Sequence, residues 1–332
     1  MILAGDIGGT HARLAFFDVS NGRFRMVSDS VFSSRDYRGL DEIVLRFLDD
    51  SRLDADAACF GVAGPVHNGR VETSNLPWVV EAKQLAKELK LEQALIINDL
   101  EANAWGIATL DAKDVVSLNP GNAQAIGNQG VIAAGTGLGE AGLYWDGLDY
   151  RVFACEGGHA DFAPRNELEI ELQRYLASRY GHVSNERVVS GPGLVNVFHF
   201  LRDTGRGTEP SWLSQAMHDG DAAAAISSAA IEGRCALCEQ ALTLFVSAYG
   251  AEAGNLALKL MATGGVFIGG GIAPKILAKL AEPLFLEAFT SKGRMRPLLE
   301  GIPVHVITND KAGLQGAARC AAVRTGSETR SS

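Results

Sequence analysis

Two stretches of the sequence, about 130 residues apart, share one plan. Residues 2–18 (ILAGDIGGTHARLAFFD) and 131–146 (VIAAGTGLGEAGLYWD) each consist of an apolar run, a glycine-rich turn and a second apolar run. One copy alone would indicate only a tight hairpin, because glycine-rich hairpins are common. Two copies predict a duplicated architecture in which each half presents a glycine turn to a common cleft, with chance similarity as the alternative.

Short apolar runs alternate with helix-type patterns along the chain, and this alternation predicts a layered α/β fold. With 332 residues the chain exceeds the usual size of one domain, so two domains are expected. Strands are predicted at residues 2–4, 14–18, 57–62, 94–97, 131–134, 142–145, 266–268 and 304–307. Helices are predicted at 41–50, 81–89, 100–110, 167–179, 222–260 (two or more helices), 273–282 and 312–324. Residues 325–332 predict a disordered tail.

Charge and composition exclude several classes of protein. A formal net charge of −9 argues against a nucleic-acid partner, because phosphate backbones bind to basic patches. No apolar window of about 18 residues predicts a membrane span, and the N-terminus lacks the features of a signal peptide. The five scattered cysteines are typical of reduced thiols. We therefore expect a cytoplasmic protein without nucleic-acid or membrane partners.

Asp6 stands beside the first glycine turn. A bare turn directs backbone N–H groups at an anion, and glycine lets the anion approach closely. A carboxylate there would repel phosphate unless a cation lies between them. Mg²⁺ is suited to that place, since it is held by few carboxylates together with waters and substrate phosphates. The pattern therefore predicts a phosphate turn with Asp6 contacting Mg²⁺ through water.

Two further glycine clusters follow predicted strands. Residues 135–139 (GTGLG) offer backbone N–H groups and the Thr136 hydroxyl. Residues 266–277 (VFIGGGIAPKIL) predict a strand, a triple glycine and a helix with Pro274 in its first turn; such a helix N-terminus favours anions, and the glycines leave room for a flat ring. The sequence contains neither a P-loop motif nor a dinucleotide-binding glycine motif. Three glycine clusters with one carboxylate point to a nucleoside triphosphate.

Polar side chains follow three other segments. Asn98 and Asp99 end an apolar run before a helix, a pattern that fits both a helix N-cap and a ligand contact. Glu156 and His159 flank two glycines that disfavour a helix, so a loop that hydrogen-bonds a polyhydroxyl ligand is favoured over a metal pair. Glu186 precedes a Gly-Pro-Gly turn and, taken alone, is more often a solvated surface residue.

Cys235 and Cys238 lie three residues apart within a long helical pattern and have no second cysteine pair. We interpret them as a packed helix face rather than as zinc ligands.

Taken together, these motifs resemble the bacterial glucokinase family, in the hexokinase group of the actin-like ATPase superfold. Seven segments carry the resemblance, in the family's order and over nearly the whole chain. They are residues 5–10 (GDIGGT), 61–66 (GVAGPV), 98–106 (NDLEANAWG), 135–143 (GTGLGEAGL), 156–164 (EGGHADFAP), 186–194 (ERVVSGPGL) and 264–275 (GGVFIGGGIAPK).

The resemblance implies a two-domain actin-like ATPase fold, related to ribonuclease H, with a cleft between the domains. It implies a small α/β domain of residues 1–110 plus about 300–324 and a larger α/β domain of residues 111–299. It implies glucose bound by Asn98, Asp99, Glu156, His159 and Glu186. The implied ATP-binding residues are Gly5, Asp6, Ile7, Gly8, Gly9, Thr10, Gly135, Thr136, Gly137, Gly139, Gly269, Gly270, Gly271 and Ile272.

The activity implied by the resemblance is ATP-dependent phosphorylation of the glucose 6-hydroxyl, with Asp99 as general base and Mg²⁺ on the phosphates. A homodimer is expected. No cysteine cluster follows His159, so no zinc is expected, and the chain starts directly with the phosphate turn, leaving no room for a DNA-binding domain. The alternatives are a kinase of another hexose (fructose or an N-acetylhexosamine), a polyphosphate donor, or a non-catalytic sugar or nucleotide sensor.

Overall fold

A computed structural model describes residues 1–20, 23–73, 76–122 and 124–326. The turn predicted near Asn21 and Gly22, the loop predicted to carry Ser74 and Asn75, and residues 327–332 of the predicted tail lie outside the described residues.

Strands and helices alternate along the described chain. The strands are β1 (Ile2–Ile7), β2 (His11–Ser20), β3 (Arg23–Ser33), β4 (Ala57–Val62), β5 (Val66–His67), β6 (Arg70–Glu72), β7 (Val79–Glu81), β8 (Leu95–Asn98), β9 (Val115–Asn119), β10 (Gln129–Ala134), β11 (Leu138–Trp145), β12 (Tyr150–Cys155), β13 (Gly265–Gly269) and β14 (Val304–Ile307). The α-helices are α1 (Leu40–Ser51), α2 (Ala82–Leu89), α3 (Asp99–Gly106), α4 (Glu167–Tyr180), α5 (Gly191–Asp203), α6 (Ser211–Asp219), α7 (Ala222–Ile231), α8 (Ala236–Leu260), α9 (Leu277–Leu280), α10 (Pro283–Thr290), α11 (Arg296–Glu300) and α12 (Ala312–Arg324).

The two main sheets repeat one topology. The first has the order β3-β2-β1-β4-β8, and the second has the order β12-β11-β10-β13-β14-β9. In each sheet the two strands of a hairpin, β1 and β2 or β10 and β11, pair antiparallel. On its other side the first strand of the hairpin is followed by two strands parallel to it, β4 and β8 or β13 and β14. This match confirms the predicted duplication. A small third sheet has the order β5-β6-β7.

The described chain divides into two compact units. The first unit comprises residues 1–114, 152–154 and 309–326, and the second comprises 115–151 and 155–308. The predicted boundaries of the small and the large domain lie close to this division in sequence, and the two domains remain a prediction.

Both faces of the first unit's main sheet are buried. Apolar side chains of α1 and α2 pack on one face, and those of α3 and α12 pack on the other. Glycine makes the contact between α3 and α12 close: a Cβ at Gly316 would lie 1.8 Å from the Ala102 carbonyl oxygen, and one at Gly106 would lie 2.2 Å from that of Ala312. This close packing fixes α3 against α12 on one face of the sheet.

The second unit is built around α8, a 25-residue helix that is buried along most of its length. Tyr249 of α8 fixes the end of β10, since its hydroxyl lies 3.2 Å from the Ala134 amide nitrogen and 3.3 Å from the Ile132 carbonyl oxygen. Cys235 caps α8, and its Sγ accepts a bond from the Cys238 amide, so the pair begins the helix rather than lying within it as predicted. Both thiols are buried.

One predicted helix is wrong. Residues 273–282 were expected to form a helix opened by the triple glycine, but α9 has four residues, Leu277–Leu280, and residues 273–276 form turns. Among the described residues, no helix is both long enough and apolar enough to cross a membrane.

Candidate active site

The first glycine turn, residues 8–10, joins β1 to β2. The Gly8 amide donates to the His11 carbonyl (2.9 Å), which closes the turn. The buried Ser34 supports it from behind, since its hydroxyl donates to the Gly8 carbonyl (2.9 Å) and its amide donates to that of Thr10 (3.0 Å). The turn therefore has a fixed shape before any ligand binds.

Asp6 lies one residue before the end of β1, opposite Arg13 of β2. Arg13 bonds the carboxylate and the carbonyl of Asp310, both at 3.0 Å. A Cβ at Gly313 of α12 would lie 3.6 Å from the Asp6 carboxyl carbon. Burial raises the pKa of Asp6, Arg13 opposes this shift, and Asp310 adds to it. A cation at this turn would stabilise the ionised form of the carboxyl.

Asn98 and Asp99 lie where β8 passes directly into α3. The Asn98 Oδ1 accepts bonds from the amides of Leu100 (2.9 Å) and Glu101 (3.4 Å), so the predicted N-cap is confirmed. Its Nδ2 donates to the Gly64 carbonyl at 3.1 Å. Both ends of the Asn98 amide are therefore engaged, although one N–H of its Nδ2 is left for a ligand.

Asp99 is the first residue of α3. Its Oδ1 accepts a bond from the Leu100 amide (3.0 Å), and its carbonyl accepts one from Asn103 Nδ2 (2.9 Å). The helix N-terminus favours a negative charge at this position. Gly61 of β4 brings α3 close to the sheet, since a Cβ there would lie 2.7 Å from that of Ala102. Asp99 is thus a partly exposed carboxylate on a rigid helix start.

The second glycine turn, residues 135–137, joins β10 to β11 in the second unit. The Gly135 amide donates to the Gly137 carbonyl, and the Gly135 carbonyl accepts from the amide of Gly191, where α5 begins (both 2.8 Å). A Cβ at Gly137 would lie 2.5 Å from Glu186 Oε2. The turn is therefore closed by its own backbone and held from one side by α5.

Glu186 is half-buried rather than fully solvated. Its Oε2 accepts a bond from the Leu138 amide at 3.0 Å. Leu138 is also the residue against which the Glu-x-x-His segment packs, because a Cβ at Gly158 would lie 1.9 Å from its carbonyl oxygen. The backbone of Leu138 thus brings Glu186 and this segment to the end of the second glycine turn.

The Glu-x-x-His segment forms one 3-10 turn, Gly157–His159, which we call the sugar turn after the ligand predicted for it. Glu156 and His159 project from it with 58% and 60% of their side chains exposed, and their Oε2 and Nε2 atoms are 3.9 Å apart. Both side chains are available to a ligand. The Asn185 amide donates to the Ala160 carbonyl (2.9 Å), which links the sugar turn to the segment that carries Glu186.

The third glycine cluster follows β13. Gly270 has a φ of +83°, and a Cβ there would lie 2.3 Å from the Ala134 carbonyl oxygen, so only glycine fits. The Ile272 amide donates to the same carbonyl at 3.3 Å, and nothing lies within 4 Å of a Cβ at Gly271. The predicted anion site at a helix N-terminus is wrong, since no helix starts here. The backbone around Gly271 is open, and the bond from Ile272 to Ala134 places it beside the second glycine turn.

Sequence reasoning missed three supporting residues: Ser34, Asn103 and Glu140. Ser34 lies 24 positions or more from the turn that it supports, so no local pattern marks it. Asn103 follows Asp99 by one helical turn, a spacing that could have indicated its bond to the Asp99 carbonyl. Glu140 stands in the otherwise apolar β11, and a lone acid in a buried strand was a usable signal.

Across the described ranges, no group of three or more His, Cys, Asp or Glu side chains is arranged to hold a metal ion.

A protein-family model described as Glucokinase matches residues 3–324. This chain belongs to the glucokinase family. It is 45% identical over 338 aligned positions to the glucokinase of Nostoc sp., covering 97% of this chain and 99% of that one. Among solved structures, a glucokinase from an Antarctic psychrotroph superposes with a TM-score of 0.83 at 34% identity, covering 97% of this chain and 98% of that one.

A more distant structure has the same fold: a ROK family glucokinase from Streptomyces griseus in complex with glucose and AMPPNP, with a TM-score of 0.69 at 22% identity, covering 97% of this chain and 99% of that one. Membership of the glucokinase family confirms the predicted family, the predicted two-domain actin-like ATPase fold and the predicted enzyme class, an ATP-dependent sugar phosphotransferase.

Proposed function

We propose that this chain transfers the γ-phosphoryl group of ATP to the 6-hydroxyl of glucose and that Asp99 is the general base. The observation that carries the proposal is the placement of Leu138. Its amide binds Glu186, its carbonyl packs on the sugar turn, and it directly follows the second glycine turn. Groups suited to a polyhydroxyl ligand and a turn suited to phosphate therefore share the start of one strand.

The ATP phosphates are assigned to the two glycine turns, with Gly5 to Thr10 in the first unit and Gly135 to Gly139 in the second. The adenosine is assigned to the open backbone of Gly269 to Ile272, where the free space at Gly271 suits a flat ring. Bare backbone N–H groups in a closed turn are suited to phosphate oxygens.

Mg²⁺ is assigned to Asp6 through water. The residues fit the ion, because burial disfavours the charged Asp6 carboxyl and a nearby divalent cation would stabilise it. When bound, the ion would neutralise phosphate charge. The role of this chain there is to hold Asp6 at a fixed position between Arg13 and the beginning of α12.

In the chemical step, the 6-hydroxyl oxygen forms a bond to the γ-phosphorus, and the bond from that phosphorus to the bridging oxygen breaks. The electron pair leaves with ADP, and the hydroxyl proton passes to the Asp99 carboxylate. Base catalysis of this kind typically contributes about 10²–10⁴ in rate. Asn103 and the α3 N-terminus hold Asp99 in place for the transfer.

The remaining sugar hydroxyls are assigned to Asn98, Glu156, His159 and Glu186. Carboxylates accept hydrogen bonds from hydroxyls, and the spare N–H of Asn98 can donate one. We also propose, from the family resemblance, that the enzyme is a cytoplasmic homodimer, with residues 1–110 and about 300–324 as the small domain and 111–299 as the large one.

The test is phosphorylation of a sugar panel by the purified protein with MgATP. A site that hydrogen-bonds a hydroxyl rejects an analogue that lacks it, because buried polar groups lose partners at about 1–3 kcal/mol each. We expect kcat/KM for glucose to exceed that for fructose and N-acetylglucosamine by at least about tenfold. Equal or better use of either sugar would contradict the assignment. Polyphosphate in place of ATP serves as the control for the donor.

A further inference from the structure

Glu140 is a buried acid that the mechanism does not use. It lies on β11, and only 1% of its surface is exposed. Its counterpart in the first hairpin, by register, is Leu14, which is fully buried. The Oε1 atom of Glu140 is buried and has no hydrogen-bond partner within the described ranges. Since an unpartnered buried carboxylate is costly, its presence in an apolar position requires an explanation.

Glu140 lies directly beneath the sugar turn. A Cβ at Gly157 would lie 1.8 Å from Glu140 Oε2, so the carboxyl occupies the space that a side chain at that position would need. Two residues earlier on the same strand, Leu138 packs on Gly158. The strand β11 therefore supports the sugar turn through two contacts, one from backbone and one from the Glu140 carboxyl.

A second buried acid, Glu252 of α8, faces Glu140 and is 2% exposed. Its two oxygens already have partners, since Lys259 Nζ lies 3.2 Å from Oε1 and Asn255 Nδ2 lies 2.7 Å from Oε2. The negative charge of Glu252 acts on the Glu140 carboxyl and disfavours its ionised form. Glu140 has no cation of its own among the described residues, so two negative charges at this place would be poorly compensated.

We propose that Glu140 is a positioning residue that is protonated at neutral pH and that in this neutral form supports the turn that presents Glu156 and His159. The proposal rests on the assignment of that turn to the sugar. Burial and the charge of Glu252 raise the pKa of Glu140 to about 8, and Lys259 opposes the shift. Above that pH a second negative charge appears beneath Gly157, and the sugar turn shifts.

Other groups that face this cluster also titrate at alkaline pH. Burial lowers the pKa of Lys292, which donates to Asn255 Oδ1 and to the Ala251 carbonyl, to about 8. Burial also raises the pKa of the Cys155 thiol and of the Tyr249 hydroxyl. A pH profile of the wild-type protein therefore cannot identify Glu140, and the test requires a variant that removes its titration alone.

Glu140→Gln is that variant, because it keeps the shape of the protonated acid. We would measure glucose binding without nucleotide by isothermal titration calorimetry at pH 7 and pH 9. With a pKa of about 8, the protonated fraction of Glu140 falls about tenfold over this range. The wild-type dissociation constant should rise about tenfold, whereas that of Glu140→Gln should stay within about twofold. An equal rise in both proteins would overturn the proposal.

Glu169→Gln is the matched control. Glu169 is also fully buried in the second unit, but both of its oxygens are bonded to Arg165. This variant should keep the alkaline loss of glucose affinity.

Thermal stability without sugar separates this inference from the proposed function. The folded-state pKa of Glu140 is raised above the ordinary value of 4.5, so its contribution to stability is full below about pH 4.5 and is lost as pH rises towards 8. Relative to wild type, Glu140→Gln should therefore gain in melting temperature between pH 5 and pH 8. An equal pH dependence of the melting temperature in both proteins would overturn the proposed protonation of Glu140, whatever the sugar data show. A wild-type protein that does not bind glucose at pH 7 would instead contradict the proposed function.

Discussion

The two hairpins that repeat in this chain differ by one residue in the length of the turn between their last paired positions, and they differ in the charge of the residues beside the turn. In the first, the strand positions beside the turn hold Asp6 and Arg13. In the second, the equivalent pair is Ala133 and Gly139, and the nearest acid, Glu140, stands one position further from the turn and is buried. One backbone plan thus carries a charged pair beside the turn in one half and an uncharged pair in the other.

The surroundings of the turns differ in the same way. The first is supported by the Ser34 hydroxyl and lies near the beginning of α12. The second is supported by the backbone of α5 and by Glu186, and it continues directly into the strand beneath the sugar turn. Under the proposed assignment the two halves divide the work: the first half controls charge at the phosphates and supplies the base, and the second half contributes an uncharged phosphate turn and most of the sugar contacts.

The largest expected effect concerns Asp99, on the catalytic side of this division. Asp99→Asn keeps shape and polarity but removes basicity, so kcat should fall by about 10²–10⁴ while glucose affinity changes little. Steady-state kinetics together with glucose titration would measure both quantities. Glu101→Gln, which removes a charge from the same helical turn, serves as the control and should retain most activity. A near-normal kcat in Asp99→Asn would show that another group is the base.

A smaller effect is expected from the backbone of the sugar turn. Gly158→Ala would place a methyl group 1.9 Å from the Leu138 carbonyl oxygen, so the turn must move. We expect glucose affinity to fall by about tenfold and stability to fall by about 1–3 kcal/mol, a typical cost of overpacking.

Gly220→Ala is the matched control for this variant. Its Cβ would meet no atom closer than 3.5 Å, and its backbone is extended, so neither quantity should change. Unaltered glucose binding in Gly158→Ala would argue that the turn does not hold the sugar.

The sequence predicted those elements whose burial follows from local pattern. The bounds of β4, β14 and α12 agree with the expected ranges. The two strands are short, mainly apolar runs, and α12 has a long regular helix pattern. Strand β3 was missed because its residues alternate between exposed and half-buried positions on a sheet edge. The helix after Gly271 was wrongly predicted because the chain closes on the Ala134 carbonyl instead, a long-range bond that no local pattern shows.

The candidate site residues could likewise be predicted where a local pattern marked them, and could not where only long-range contacts did. The glycine turns and the polar residues at the strand ends were recognisable because each lies within a short motif. The role of Glu140 was not, since it depends on Gly157 and on Glu252, which lies 112 positions further along the chain. Motifs therefore indicated the candidate ligand contacts, whereas the buried groups that support those residues required the structure.

The division of labour is tested most directly by glucose titration of Asp6→Ala and Glu186→Gln in the absence of nucleotide. The account predicts that Asp6→Ala binds glucose within about twofold of wild type and loses productive use of MgATP, because Asp6 serves the phosphates. It predicts that Glu186→Gln loses about tenfold or more in glucose affinity, the equivalent of about 1.4 kcal/mol for a lost charged acceptor. Equal losses of glucose affinity in the two variants, or a larger loss in Asp6→Ala, would contradict it.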